Sequence, residues 1–383
     1  MCMLNKKLTA FLLVLTCLGL ASQALSAVRI PPPPKLAATS YILIDFDSGK
    51  ILAKKNPHEQ LEPASITKIM TAYAVLSEIK KGEIDLADRA VISDKAWRMG
   101  GSRMFLEPGS SLDVETLLRG MIIQSGNDAS VALAEFVSGD EKAFAELMNQ
   151  HAKRLGMKDT HFANSTGMPD KNHLTTAYDI ALMSMATIRD FPEHYAVYAE
   201  KEFTHNKIKQ YNRNKLLWSD SSVDGIKTGH TDNAGYCLVA SAKRNNMRLV
   251  SVAMGTKSKE ARAVISQALL DYGFQNFETH RLYKAGDTLN SSRVWLGDQE
   301  QLSQGLAQDL IVTIPRRQYK KLKARLALNP DLEAPIQRGQ QVGKVVITLD
   351  GEPYTEAPLV ALHDVASGGL WTRIKDSVLR KFE

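Results

Sequence analysis

The sequence predicts an α/β protein. One sheet is built from both ends of residues 38–275, a helical subdomain is inserted between them, and a small all-β domain and an amphipathic terminal helix follow. Three observations predict this. Apolar or alternating β-rich runs lie at both ends of that stretch, near 39–55 and 236–254. Helical periodicity fills most of 112–190. Beyond about residue 280 the pattern changes to short strands separated by Gly and Asp turns. The composition agrees. With 44% hydrophobic and 23% charged residues in 383, wholesale disorder, collagen and coiled coil are excluded. The length suits two or three domains with an ample core.

Residues 1–27 have the layout of a secretory signal. Lys6 and Lys7 form a positive start, Leu8 to Leu20 is an apolar run too short to span a bilayer comfortably, and small residues follow at Ala21, Ser22, Ala24, Ser26 and Ala27. Cleavage after Ala24 and cleavage after Ser26 both satisfy the small-x-small rule. The alternatives are an uncleaved anchor and lipoprotein processing at Cys17, which Thr16 fits poorly. Removal of the signal takes two lysines and no acid, lowering the formal charge from +6 to +4. That balance is too weak and too evenly spread for nucleic acid to be the main partner. Cys2 and Cys17 leave as well. Cys237 then stands alone in an apolar run, the setting of a small buried hydrophobe, so no internal disulfide is expected.

A proline-rich linker over 28–37, with Pro31 to Pro34, reads as an extended spacer. Thr39–Asp45 and Ile51–Lys55 alternate around Asp47-Ser48-Gly49, a hairpin. A helix should start near Pro63-Ala64-Ser65 and run through Leu76. Val114 onward, Ala129 to Val137 and Glu141 to Leu155, stopped by Gly156, read as helices. Two strands, 236–242 and 247–254, are joined by Asn245-Asn246, and Lys257 to Tyr272 is helical again. Val294-Trp295-Leu296, Leu310–Ile314 and Gln341–Leu349 read as strands of the later module. After Ser367-Gly368-Gly369, the residues Leu370, Trp371, Ile374, Val378 and Phe382 recur at helical spacing among Arg373, Lys375, Arg380 and Lys381. This short basic amphipathic helix suits an anionic membrane surface, with the Gly pair detaching it from the preceding fold. The alternative is a terminal helix docked on its own protein.

Three short motifs carry the chemistry: Ser65-Ile66-Thr67-Lys68 at a helix start, Ser125-Gly126-Asn127 at a helical turn, and Lys227-Thr228-Gly229 before the strand pair. Ser-x-x-Lys alone says little, since roughly one or two arise by chance in a chain this long. A second, Ser77 to Lys80, lies at the polar tail of the same helix and reads as solvated surface. Ser65 differs because it follows Pro63-Ala64 at a helix start, where backbone N–H groups are free and the dipole is positive. The spacing puts Ser65 and Lys68 on one face. Ser-x-Asn and Lys-Thr-Gly each occur once, 60 and 102 residues further along in turn. A serine hydroxyl needs a base within hydrogen-bond reach. Lys68 can serve if burial and a second cation, Lys227, lower its pKa. Ser125 can bridge the two lysines and relay a proton to a leaving amine. The histidines form no His-x-x-x-His pair, so no metal and no cofactor is expected.

The trio, in this order, is the one found in β-lactamases and penicillin-binding proteins. With QSGNDASVALAEF, VDGIKTGHTDNAGYCLVASA and the late β module, the chain resembles the low-molecular-mass penicillin-binding proteins that are D-alanyl-D-alanine carboxypeptidases, over nearly its whole length. The resemblance implies a serine β-lactamase/penicillin-binding-protein-like domain over 38–278, with an antiparallel sheet flanked by helices. A β-rich domain over 279–365 and a membrane-anchoring helix over 366–383 follow, at the periplasmic face of the inner membrane. It implies that Ser65 is the acylated nucleophile, Lys68 its general base and Ser125 the proton relay. It further implies that Asn127 holds the substrate's peptide amide and that Lys227 and Thr228 face its terminal carboxylate. Gly229 would let the strand edge approach the ligand, and the backbone N–H groups of Ser65 and His230 would form the oxyanion hole. Arg262 would help bind the carboxylate, although the KSKEA stretch before it departs from the usual glycine-containing pattern. Asn127 as a mere helix-turn cap and Arg262 as a solvated helix charge are the plain alternatives. The implied substrate is a peptidoglycan stem peptide ending in D-Ala-D-Ala, with β-lactams acylating the same serine. The rivals are a β-lactamase or D,D-endopeptidase of the same fold, and a non-enzymatic wall-binding scaffold.

Overall fold

The computed structural model of the protein describes residues 30–380, so the expected signal over 1–27 and Lys381, Phe382 and Glu383 lie outside the described residues. From Pro33 onward the chain forms one compact unit. Its central sheet is antiparallel, in the order β2-β1-β9-β8-β7. The strands are β1 Ser40–Asp45, β2 Ile51–Lys55, β7 Val223–Thr231, β8 Gly235–Arg244 and β9 Met247–Thr256. The expected joining of both ends is realised where β1 pairs with β9, from Ser40 opposite Met254 to Asp45 opposite Leu249. Strand side chains alternate between faces, and here both faces are covered. Ile42, Ile44, Val239, Val250 and Val252 pack toward the helical subdomain. Leu43, Leu238, Ala240 and Leu249 pack against Ile265, Leu269 and Leu270 on the other side.

Between β2 and β7 lie the longer helices α1 Lys68–Lys81, α2 Val114–Arg119, α3 Asn127–Ser138, α4 Glu141–Arg154 and α5 Ala177–Asp190, with small hairpins β3 Arg89–Val91/β4 Ser111–Asp113 and β5 Glu202–His205/β6 Ile208–Tyr211. The helix α6 Lys259–Asn276 follows β9 and covers the second face. One expectation changes here. The helical run 112–190 is broken by an irregular segment between α4 and α5, starting at Gly156 with φ +79°. Lys227-Thr228-Gly229 precedes the strand pair, as expected, and itself lies on a further strand, the edge strand β7. Cys237 is fully buried, as its apolar run implied, and burial pushes its thiol up to about 11.

The C-terminal body begins at Phe277 with β10 Phe277–Tyr283, which pairs with β13 Leu310–Pro315. A five-stranded sheet follows in the order β11-β12-β16-β15-β14, from β11 Thr288–Arg293, β12 Gln301–Gly305, β14 Leu322–Leu328, β15 Gln341–Leu349 and β16 Glu352–Ala361. Val294-Trp295-Leu296 is not a strand. Leu296 has φ +61°, which ends the extended backbone, and the buried Trp295 is held by backbone bonds with Leu332 and Ala334. The terminal helix α7, Leu370–Leu379, forms as the periodicity predicted. It is not detached by the Gly pair. Its polar side is docked: the buried Asp376 accepts from the Leu296 backbone N–H at 2.7 Å, Lys375 pairs with Glu300 and Arg380 with Glu333. Leu370, Trp371, Ile374 and Val378 are left facing solvent. Among the described residues, no helix is long and apolar enough to cross a membrane.

The two bodies meet at the first hairpin. Asp45 is fully buried, and its carboxylate accepts from the Ser48 backbone N–H and hydroxyl at 2.8 Å each and from Thr279 Oγ1 at 2.7 Å. Thr313 Oγ1 lies 2.9 Å from Thr279 Oγ1 and 2.6 Å from Ser48 Oγ. Removing this buried acceptor strands several donors at once, at a cost of about 1–3 kcal/mol or more. Asp45→Ala should therefore lower the urea midpoint of unfolding by a corresponding amount. An unchanged midpoint would show that the junction does not hold the bodies together.

Candidate active site

The turn carrying Ser65 is not the first turn of an α-helix. Ala64–Thr67 is a 3₁₀ turn, with Ala64 at φ +48°, and α1 begins at Lys68. Ser65 is half-buried while Lys68 is 1% exposed. The Lys68 amine lies 3.1 Å from Ser65 Oγ and donates to Asn127 Oδ1 at 2.7 Å and to the Thr166 carbonyl at 2.6 Å. Burial lowers its pKa to about 7. The cation next in weight is Arg213, with Asp128 and Glu141 opposing. The expectation named Lys227 for that role. Lys227 is itself buried and held well below its ordinary value, by burial first and then by Lys68, Arg213 and Arg262.

Ser125 follows a π turn, Gly120–Gln124, and has φ +69°, which turns its side chain out of the helical path. Such π turns recur at functional positions. The expected bridge between the lysines is not formed. Ser125 Oγ is buried with no hydrogen-bond partner among the described residues, and Lys227 Nζ donates instead at 3.4 Å to its neighbour's carbonyl, Thr228 O. Asn127 makes no cap bond at the start of α3. Its amide is committed on both sides, accepting from Lys68 and donating to Gly100 O at 2.7 Å.

On the opposite wall, Gly229 packs against the turn of Ser65. A Cβ there would lie 3.0 Å from Pro63 O and 3.1 Å from Ile66 Cγ1, so its missing side chain admits the turn of Ser65. Gly167 does the same from the other side, with φ +82° and an added Cβ only 1.8 Å from Ala64 O. Arg262 is buried, not solvated, and donates to Gly229 O at 3.1 Å and Cys237 O at 3.4 Å. His230 is exposed and stacks on Tyr236 with ring centroids 3.9 Å apart. Ser65, Ser125, Asn127, Thr228, Gly229, His230 and Arg262 thus line one cavity of about 790 Å³, with Lys68 and Lys227 buried beside it.

Three contributors escaped the sequence reading. Thr166 and Gly167 lie in the irregular segment before α5, and Arg213 lies between β6 and β7, in the cavity wall. Asn164-Ser165-Thr166-Gly167 has turn-forming composition, the one local signal that marked it. Of the second Ser-x-x-Lys, Lys80 is exposed as expected, but Ser77 is buried and donates to Tyr73 O.

A family model described as D-alanyl-D-alanine carboxypeptidase, peptidase S11, matches residues 27–258. The chain belongs to this carboxypeptidase family. A second model, penicillin-binding protein 5 C-terminal domain, matches residues 277–367. The carboxypeptidase is similar to the D-alanyl-D-alanine carboxypeptidase DacA of Escherichia coli strain K12, 45% identical over 92% of this chain and 90% of the relative. Its fold is similar to that of penicillin binding protein 5 from Haemophilus influenzae, with TM-score 0.85 and 44% identity over 88% of this chain and 99% of that one. It is also similar to penicillin-binding protein D2 from Listeria monocytogenes in the ampicillin-bound form, with TM-score 0.59 and 29% identity over 63% of this chain and 100% of that one. The carboxypeptidase is therefore a serine hydrolase with a penicillin-binding-protein-like α/β domain and a separate all-β domain.

Proposed function

We propose that this carboxypeptidase removes the terminal D-Ala from peptidoglycan stem peptides through an acyl-enzyme on Ser65, and that β-lactams acylate the same serine. One observation carries the mechanism: a buried amine with a pKa near 7 lies 3.1 Å from Ser65 Oγ, with two N–H bonds already aimed at Asn127 and Thr166. A neutral amine donates twice, so its lone pair is left for the serine. Ser65 Oγ attacks the carbonyl of the penultimate D-Ala as its proton passes to Lys68. The scissile C–N bond then breaks. The proton reaches the leaving amine through Ser125, whose hydroxyl has no partner among the described residues. Water, deprotonated by the same base, attacks the ester and restores the Ser65 hydroxyl. The backbone N–H groups of Ser65 and His230 are the oxyanion donors, an arrangement often worth several kcal/mol.

Lys227, Thr228 and Arg262 form the positive end that receives the substrate's terminal carboxylate, and Asn127 meets its peptide amide. The ampicillin-bound relative supports the β-lactam reading. The exposed apolar side of α7 supports a peripheral membrane contact, because its polar side is already occupied by the protein. We infer export through the signal at 1–27 and action at the periplasmic face of the inner membrane, the β body over 279–365 serving as a spacer.

Ser65→Ala should abolish both D-Ala release from a pentapeptide and labelling by a fluorescent penicillin; release at the wild-type rate would sink the mechanism. The reacting form of Lys68 is neutral, so acylation should rise with pH through about 7 and level off above it. A rate independent of pH between about 6 and about 9 would rule out Lys68 as base. Deleting residues 366–383 should move the protein from the membrane to the soluble fraction, whereas continued membrane binding would place the anchor elsewhere.

A further inference from the structure

One buried histidine near the site has no part in the chemistry above. His173 is 1% exposed and lies edge-on to Phe162. Its Nδ1 accepts from the Ala163 backbone N–H at 3.2 Å, so that nitrogen carries no hydrogen. The ring hydrogen is therefore on Nε2, which donates to Thr67 Oγ1 at 2.9 Å. Burial holds the ring neutral, with a pKa down at about 4. This tautomer is complete, with one acceptor and one donor, both used.

The two partners lie on the two pieces of chain that bracket Lys68. Thr67 is the last residue of the 3₁₀ turn and directly precedes Lys68. Ala163 opens the segment whose Thr166 carbonyl holds the amine. The two pieces touch where Gly167 packs on Ala64 O and Thr67 Oγ1. That segment is fixed at other points too. Ser165 donates to Glu141 from its N–H and hydroxyl, and Ser165 O accepts from Thr71. The His173 ring joins the segment to the residue next to the base.

We propose that His173 is a positioning residue. Its ring clamps the Ser65–Lys68 turn to the 163–168 segment, so that Ser65 Oγ and the Thr166 carbonyl stay on opposite sides of the Lys68 amine. The proposal rests on Ser65 acylation as described above, and the experiment separates the two. Wild-type protein is first labelled with a fluorescent penicillin, and absence of labelling blocked by Ser65→Ala would overturn the acylation reading itself. The rate constant of labelling, the kcat and KM for D-Ala release, and the melting temperature are then measured for His173→Ala, His173→Gln, Thr67→Val and Thr67→Ser.

A misplacement of the base by a fraction of an ångström to an ångström costs about ten- to a hundredfold in rate. His173→Ala and Thr67→Val should each lose that much in labelling rate and kcat, with KM changed less than about threefold. Their combination should lose no more than either alone. His173→Gln, whose amide can both donate to Thr67 and accept from Ala163, and Thr67→Ser should recover most of the rate. Wild-type labelling rates in His173→Ala and Thr67→Val would overturn the proposal. So would equal losses in His173→Gln and His173→Ala, or losses that add in the double variant.

Discussion

The site depends on keeping one ammonium group out of water. A lysine buried this deeply would ordinarily be a defect, since the charged form loses its hydration and neighbouring cations add repulsion. In the mechanism proposed above the defect is the device. Lys68 is pushed to about 7, and the groups that surround it, Asn127 Oδ1 and Thr166 O, accept hydrogens from a neutral amine as well as from a charged one. The surrounding architecture keeps this amine dry and in place. Strand β7 closes one side and comes near because Gly229 has no side chain. The segment before α5 closes the other, and comes near because Gly167 can adopt a left-handed backbone against Ala64 O. A single added carbon rules out the second approach and forces the first apart by a few tenths of an ångström.

The same economy governs the cation set. Arg213 and Arg262 line the cavity with Lys227 buried beside it; burial lowers the charge preference of all three, with the neighbouring cations adding to it at Lys227 and Arg213 adding to it at Arg262. Without a ligand this concentration of positive charge is unfavourable. A carboxylate entering the cavity relieves it, so that binding and the repulsion among the bare groups are two sides of one interaction. Arg262 is braced on the carbonyls of Gly229 and Cys237, which fixes its place in the cavity.

Much of this was legible in the order of residues. The β1/β2 hairpin, the β8/β9 pair and the terminal helix follow from periodicity and turn chemistry, because each is stabilised by contacts near in sequence. The three motifs named Ser65, Lys68 and the strand that faces them, which the structure brings together. The unread part was tertiary. Nothing near Arg213 or Thr166 in sequence announces that each will lie by Lys68, because that meeting is made by chain segments some 100 residues away or more. The π turn before Ser125, the 3₁₀ turn under Ser65 and the left-handed Leu296 were missed for a related reason. Each is a local departure from the regular pattern that neighbouring packing enforces, and periodicity arguments assume the regular pattern. Val294-Trp295-Leu296 has strand composition because it is buried, not because it is extended.

The junction at Asp45 has a geometric meaning beyond its contribution to stability. Its carboxylate joins the first hairpin to β10, and the Ser48 and Thr279 hydroxyls extend the join to β13. A loose linker at that point would let the catalytic body sweep a volume limited by the linker's reach. A hydrogen-bonded junction converts that volume into a shell of nearly constant radius about the far end of the β body. In the spacer role proposed above, such a protein meets a layered material at one depth, and the length of the β body sets that depth.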